Sequence, residues 1–399
     1  MKEILLRDQS FRIEIKLLLF LLMLSLINKG FGLKLDQFYY ILTAIAICFF
    51  FLKNRKYSRN MSFVDLFILF FLYLLTLGIF NNNFSSFIFI DIFNFSAFLT
   101  LYVRGKYHSN NYYYTKVLPK FGLWVNIISI LISFIWVSAY GLAVSTLSEG
   151  RGIIDNSDVS TSLMSAKYLM YGSLFLYPLV TYVEKKSHRS IYFLGLIMFI
   201  IFSLLMGSRG SSVLALIILL VTSKINMGNN KIQKSQFTKY LIIFIGSISL
   251  FGFSNLISSF NYLTERFVSE SLGDYRNEES LLVLDSLSVQ EFLFGRGFGA
   301  ANKYWIFEHI ENGVNTVHYG PVFLILKGGI LLLIFIYSYL IKSFTRLWKI
   351  KYLRPYAIII FTFVVLDFSH NNYSDYFKMV YVFFAIGLAS QLKNENITH

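Results

Sequence analysis

The sequence predicts an all-α, polytopic membrane protein with about twelve transmembrane helices and one large loop outside the membrane. Of its 399 residues, 56% are hydrophobic and only 15% are charged, and the mean hydropathy is +0.59. A soluble domain could not bury that much apolar surface. The apolar residues form long continuous runs, whereas a transmembrane barrel would have short alternating strands. We therefore predict one integral membrane domain over residues 1–399.

Twelve apolar runs are candidate spans, and several are shorter than the ~20 residues that a straight crossing needs. They lie at 13–27, 38–52, 63–80, 84–103, 121–142, 163–183, 191–206, 209–223, 240–258, 320–341, 355–369 and 376–391. The first run lacks a cleavage site of small residues, so we expect it to remain as an anchor.

The positions of the positive charges support this count. With the N-terminus inside, 25 of the 36 Lys and Arg residues fall on the segments assigned to the inside. The loop at 53–60 is basic, for example, whereas the opposite connection at 81–83 is uncharged. The positive-inside rule then places both termini in the cytoplasm. The net charge of +14 reflects this orientation, and no nucleic-acid partner is expected.

The long outside loop, residues 259–319, holds nine acidic residues and several cations, among them Arg266. Within it, the stretch 277–293 places Leu281 and Leu284 at helical spacing. This pattern predicts an amphipathic helix on the membrane surface. The acidic cluster matches no dedicated ion site, and no metal is expected.

Gly207-Ser208-Arg209-Gly210 interrupts the apolar stretch 191–223. That stretch would form about 50 Å of helix, against ~60 Å for two crossings. The turn should therefore lie below the outer surface, unless the helices also take up residues 187–190. An arginine at such depth is a candidate functional residue; the alternative is a side chain that reaches the outer headgroups.

Two further arginines, Arg276 and Arg296, lie in the long loop. Guanidinium groups bind pyrophosphate oxygens in a bidentate manner, so arginines at one membrane face suit a lipid pyrophosphate. The alternative is a salt bridge to one of the neighbouring acidic residues. The run Gly295–Gly299 is interpreted as a tight turn and not as a phosphate loop, because no Lys-Ser/Thr follows it and no strand precedes it.

His318 precedes Gly320-Pro321, which starts the tenth predicted span. Proline suits the first helical turn, so His318 is placed beside a helix N-terminus. That end of the helix attracts anions and favours a neutral imidazole, which can accept a proton from a sugar hydroxyl. The alternative is an interfacial histidine without a role. Lys327, further along the same helix, needs a partner or a water-filled pocket unless it reaches the interface.

The order of these motifs resembles the polysaccharide polymerase and O-antigen ligase superfamily, in particular the Wzy-type O-antigen or capsular polymerases. Gly-Ser-Arg-Gly follows the seventh span, an arginine precedes Leu-Phe-Gly-x-Gly-x-Gly by about twenty residues, and a histidine leads into a span with Lys-Gly-Gly. The similarity in topology covers nearly the whole chain, and the diagnostic residues lie within 207–329. Two positions depart from the pattern: Tyr319 stands where many relatives have Asn, and Ser280 where many have an aromatic residue.

The resemblance implies a glycosyltransferase of the GT-C kind in the bacterial inner membrane, with its active site facing the periplasm. It implies that His318, Arg209 and Arg276 are catalytic. Around them we expect a substrate-binding set of Arg296, Arg266, Lys327 and Tyr319. The expected substrate is an undecaprenyl-pyrophosphate-linked oligosaccharide, and the expected partners are membrane lipid and a chain-length regulator. No cofactor or metal is expected, because pyrophosphate leaves readily.

Two other functions remain open on the sequence. An O-antigen ligase would transfer the finished glycan to lipid A-core with the same groups. A lipid-linked oligosaccharide transporter would need ionisable groups at mid-membrane and pseudo-symmetric halves. Here the charges gather at one face and the halves differ, which favours the polymerase over the transporter.

Overall fold

The computed structural model describes part of the chain, in two compact units. The described residues are 62–92, 95, 124, 127, 131, 174–175, 177–178, 186–205, 209–226, 271–305, 308–350, 353–368, 373, 382 and 385–390. Unit 1 holds those up to 95 and those from 274 onward, and unit 2 holds those from 124 to 273. Helix makes up 81% of the described residues, in agreement with the predicted class.

The described helices and strands lie mainly in unit 1. In chain order they are α1 (Ser62–Phe80), α2 (Lys186–Leu205), α3 (Arg209–Asn226), α4 (Ser271–Asp285), α5 (Val289–Phe294), β1 (Asn302–Trp305), β2 (Glu308–Val314), α6 (Gly320–Lys349) and α7 (Arg354–Asp367). Residues 85–92 are also helical. One described helix, α6, is long and apolar enough to cross a membrane, and Leu66–Phe80 and Ile191–Ile200 are shorter apolar helices.

In unit 2, α2 and α3 pack against each other. The predicted interruption at 207–210 lies partly outside the described residues, since Gly207 and Ser208 are not described and α3 begins at Arg209. Because α2 begins at Lys186, it takes in residues 187–190. With 20 and 18 residues, the helices are about 30 and 27 Å long. Each is therefore close to the length of a full crossing, and the argument that Arg209 lies below the outer surface loses its basis.

The long loop differs from its prediction in two ways. Ser286–Ser288 divides the predicted helix 277–293 into α4 and α5. Ser288 caps α5 because its hydroxyl accepts from the Glu291 N–H (3.2 Å), and the Glu291 carboxylate accepts from the Ser288 N–H (2.8 Å). The antiparallel hairpin of β1 and β2 was not predicted at all.

Helix α1 buries one apolar face and exposes the other. Phe67, Leu74 and Gly78 are buried at spacings of seven and four residues, which place them on one side of a helix. Leu69 and Phe80 are 62% and 79% exposed. The buried face lies against the glycine-rich run of the long loop, residues 295–299.

Helix α6 begins with Pro321 in its first turn, as predicted, and is kinked at Gly328–Gly329, where the backbone leaves the helical region. Before the kink, Val322–Gly329 is buried on every side. After it, Leu332, Ile336 and Leu340 are buried at intervals of four residues, so only one face is covered.

The glycine-rich run is clamped between α1 and the kink of α6. Gly295, Gly297 and Gly299 have φ values of +80°, +84° and +77°, which glycine adopts readily. A Cβ on Gly297 would collide with the backbone at Gly78 of α1. Three N–H groups of the run donate to helix carbonyls: Arg296 to Leu326 (2.9 Å), Gly297 to Lys327 (2.8 Å) and Phe298 to Leu74 (2.9 Å). The run is therefore a turn packed backbone to backbone, and its amides are already used.

Candidate functional site

A histidine–carboxylate pair lies at the start of α6. Nδ1 of His318 is hydrogen-bonded to Oε2 of Glu279 on α4. When the ring is neutral and Glu279 is ionised, the proton of the contact lies on Nδ1, and Nε2 is then the nitrogen that can accept a proton. The His318 side chain is 17% exposed and that of Glu279 is 1% exposed. A ring oriented by a buried carboxylate is the arrangement used by general bases.

Both oxygens of the Glu279 carboxylate take part in hydrogen bonds. Oε1 accepts a hydrogen bond of 2.5 Å from the amide of Asn302. Asn302 is itself buried, and its Oδ1 accepts from the Tyr304 N–H at 2.9 Å. Because a buried carboxylate is costly without partners, these contacts stabilise its position beneath His318.

Arg276 lies on α4, one helical turn before Glu279. The next residue, Asn277, accepts a hydrogen bond of 2.9 Å from the Tyr319 hydroxyl. Asn277 thus contacts Tyr319, and Glu279 contacts His318. The backbone at Arg276 therefore lies close to His318 and Tyr319 in unit 1.

The start of α6 is already occupied by a carboxylate. Asp367, the last residue of α7, is fully buried, and its carboxylate lies where a Cβ on Gly320 would be. It also accepts a hydrogen bond of 2.6 Å from the Tyr337 hydroxyl. An anion at this end complements the helix dipole. The predicted attraction of substrate phosphate to this N-terminus stays a prediction, and the Asp367 carboxyl group already lies beside Gly320.

Lys327 has no exposed side-chain area, and its ammonium group has three partners. Nζ donates to Asp91 Oδ2 (2.7 Å), to the Ala300 carbonyl (2.8 Å) and to Asn315 Oδ1. Asp91 Oδ2 also accepts from the Gly299 N–H (2.7 Å), and Oδ1 from the Asn315 amide (3.1 Å). We call these residues the Lys327 network. This placement favours a structural role for Lys327 over the predicted contact with substrate.

Arg296 forms a salt bridge with Glu291, the alternative to a substrate contact. Nε donates to Glu291 Oε1 at 2.9 Å, and Nη2 donates to the Ser286 carbonyl at 2.5 Å. These contacts hold the Arg296 guanidinium group within the loop.

The two remaining predicted residues, Arg209 and Arg266, lie outside the described part of unit 1. Arg209 is the first residue of α3 in unit 2. Arg266 lies outside the described residues. Within the part of the chain that is described, no group of three or more His, Cys, Asp or Glu side chains is arranged to hold a metal ion.

Sequence reasoning missed Glu279 and Asp91. Glu279 is one of the neighbouring acidic residues that could pair with an arginine, and Asp91 was given no role. The available signal was Lys327, since a lysine inside an apolar helix requires a carboxylate. Nothing in the spacing identified which carboxylate.

No family model, curated protein or solved structure matches the chain.

Proposed function

We propose that this chain is a multi-pass glycosyltransferase of the bacterial inner membrane, with about twelve spans, that polymerises undecaprenyl-pyrophosphate-linked repeat units into O-antigen or capsular polysaccharide. The observation that carries the proposal is the His318–Glu279 pair, with Arg276 one helical turn away. A base and an arginine are the two groups that this reaction needs from the protein. The order of motifs around them supports the same family.

Placement in a membrane is supported by the apolar helices of both units. Helix α6 has the length and composition of a span. Large apolar side chains are exposed on α1 and α3, for example Leu72 at 52% and Leu220 at 57%. Extended apolar surfaces of this kind are typical of contact with lipid. The distribution of Lys and Arg in the sequence supports the orientation, with this site at the periplasmic face.

In the proposed reaction, a hydroxyl of one lipid-linked repeat unit attacks the anomeric carbon of the other. His318 Nε2 accepts the hydroxyl proton as the new glycosidic C–O bond forms. The bond between the anomeric carbon and the phosphate oxygen breaks, and its electron pair leaves with undecaprenyl pyrophosphate. Arg276 would stabilise the negative charge on that leaving group, and the resemblance assigns Arg209 a catalytic role in the same reaction. Direct attack inverts the configuration at the anomeric carbon.

The test is the chain length of the surface polysaccharide in cells that carry variants of the full chain. His318→Ala and Arg276→Ala should abolish long chains and leave single repeat units, because export and ligation of one unit do not need this enzyme. Lys303→Ala is the matched control, since Lys303 is an exposed cation of the same loop; it should retain the normal lengths.

Two outcomes would reject the proposal. Normal chain lengths in His318→Ala or Arg276→Ala would show that these residues are not catalytic. Loss of all surface glycan, including the single repeat unit, would instead favour a ligase, which transfers the glycan to lipid A-core.

A further inference from the structure

The short helix α5 presents an unusually apolar surface. Val289 is 78% exposed, Phe292 38%, Leu293 39% and Phe294 46%. Two aromatic rings and two aliphatic side chains within six residues form a patch that is unfavourable in water. The position of α5 relative to its neighbouring helices indicates what covers this patch.

Helix α6 gives a first measure of how far the end of α5 lies from the outer end of an apolar helix. The backbone of Leu293 and Phe294 lies directly against Gly329, where a Cβ would collide with it. Gly329 follows Gly320, the first residue of α6, by nine residues. Nine residues of helix correspond to about 13 Å, so the end of α5 lies well inside the apolar length of α6.

Helix α1 gives a second measure. The Tyr73 hydroxyl donates to the Phe294 carbonyl at 3.1 Å. Tyr73 precedes Phe80, the last residue of α1, by seven residues, or about 10 Å of helix. Two apolar helices therefore independently place Phe294 at a similar distance from their outer ends.

The backbone of residues 295–299, which follows α5, can lie inside a bilayer because its N–H groups have protein partners. Irregular backbone is tolerated inside a bilayer only when its polar groups are satisfied by protein. The N–H groups of residues 295 to 299 all donate to protein acceptors. The Arg296 carbonyl accepts from the Asn81 and Asn83 amides at 2.9 Å, and Asn83 also donates to the Phe298 carbonyl at 2.8 Å. The Arg296 charge is neutralised by Glu291.

We propose that residues 289–299 form a re-entrant segment, which enters the outer half of the bilayer and places Phe292, Leu293 and Phe294 against phospholipid acyl chains. The segment enters and leaves at the same face, because the residues after it lead to Asn302 beside the His318–Glu279 pair. It would anchor the catalytic loop at a fixed depth. The inference rests on the membrane placement of the proposed function and does not depend on the reaction.

The test is depth-dependent quenching of a fluorophore attached to single cysteines. Cys48 is the only cysteine of the chain, so Cys48→Ser provides the background for Leu293→Cys and Phe294→Cys in the full-length protein. Each variant is reconstituted in phospholipid vesicles and labelled with an environment-sensitive dye. Quenching is then compared between phospholipids brominated on their acyl chains and iodide in the water.

Two controls set the scale. Ile334→Cys reports lipid, because Ile334 is 56% exposed on α6, and Lys303→Cys reports water, because Lys303 is exposed on β1. Leu293→Cys and Phe294→Cys should match Ile334→Cys, with strong quenching by brominated lipid and loss of iodide quenching.

Iodide quenching at residues 293 and 294, or protection from both quenchers, would overturn the re-entrant segment while Ile334→Cys still reported lipid. Failure of Ile334→Cys itself to report lipid would reject the membrane placement and the proposed function together.

Discussion

Two contacts between a basic side chain and a buried carboxylate occur in the described part of unit 1, at Lys327 and at His318, and their surroundings differ. The Lys327–Asp91 contact is 0% and 1% exposed, and the ammonium group donates to three acceptors. In the His318–Glu279 contact the carboxylate is equally buried, but the imidazole is 17% exposed. The first holds a cation away from solvent, whereas the second holds a titratable ring at the border of the protein.

This difference distinguishes a structural role for Lys327 from a chemical role for His318. A buried ammonium group with three acceptors cannot reach a substrate, whereas a partly exposed imidazole can exchange a proton. The two contacts are also connected: Ala300 and Asn315 belong to the Lys327 network, and Asn302 and His318 follow shortly after them. The network therefore holds both chain segments that carry partners of Glu279.

The largest expected effect is on stability, from Lys327→Met. Removing the ammonium group leaves the Asp91 carboxylate buried without its counter-charge, which should lower the free energy of unfolding by about 3–5 kcal/mol. The measurement is thermal or denaturant unfolding of the purified protein in detergent.

Arg296→Met is the matched control for this variant. It breaks a pair whose members are 26% and 34% exposed and therefore less enclosed than the Lys327–Asp91 contact, so its cost should be smaller than that of Lys327→Met. If Lys327→Met unfolded like the unmodified protein but had lost activity, Lys327 would be a substrate contact and the comparison would fail.

Glu279→Gln should affect the reaction and spare the fold. The amide keeps the shape of the side chain and can still accept from Asn302, but it cannot stabilise the imidazolium formed when His318 takes the proton. We expect kcat to fall by about 10²-fold, within the usual contribution of general base catalysis, with KM little changed. The measurement is polymerisation of a lipid-linked repeat unit by the purified protein.

Glu278→Gln is the control for the charge change, because Glu278 is the adjacent residue on α4 and is exposed. It should keep its activity. An equal fall in both variants would mean that the net charge of α4 matters and that the contact with His318 does not.

The sequence predicted the parts of the site that depend on local pattern. Gly320-Pro321 placed His318 before a helix, and α6 starts there. The partners were not predictable, because Glu279 is 39 residues from His318 and Asp91 is 236 residues from Lys327. Local spacing reports helices and turns, and it carries no information about which distant carboxylate meets a given cation.

The same reasoning explains the errors in the long loop. The apolar residues of 277–293 fit one helix, but Ser288 and Glu291 form a capping box that starts a new helix instead. The glycine-rich run was predicted to be a turn, and it is one. Its packing against Gly78 and Gly329 follows from the approach of two helices that are distant in sequence.

The smallest expected effect is that of Tyr319→Phe, which tests the rim of the site. The lost hydrogen bond to Asn277 is exposed, so the free energy of unfolding should change by about 1 kcal/mol at most. If the hydroxyl contacts substrate, KM should rise at unchanged kcat. Asn277→Ala breaks the same hydrogen bond but keeps the hydroxyl. An equal rise of KM in both variants would show that the bond only positions the loop, and a rise in Tyr319→Phe alone would assign the hydroxyl to substrate binding.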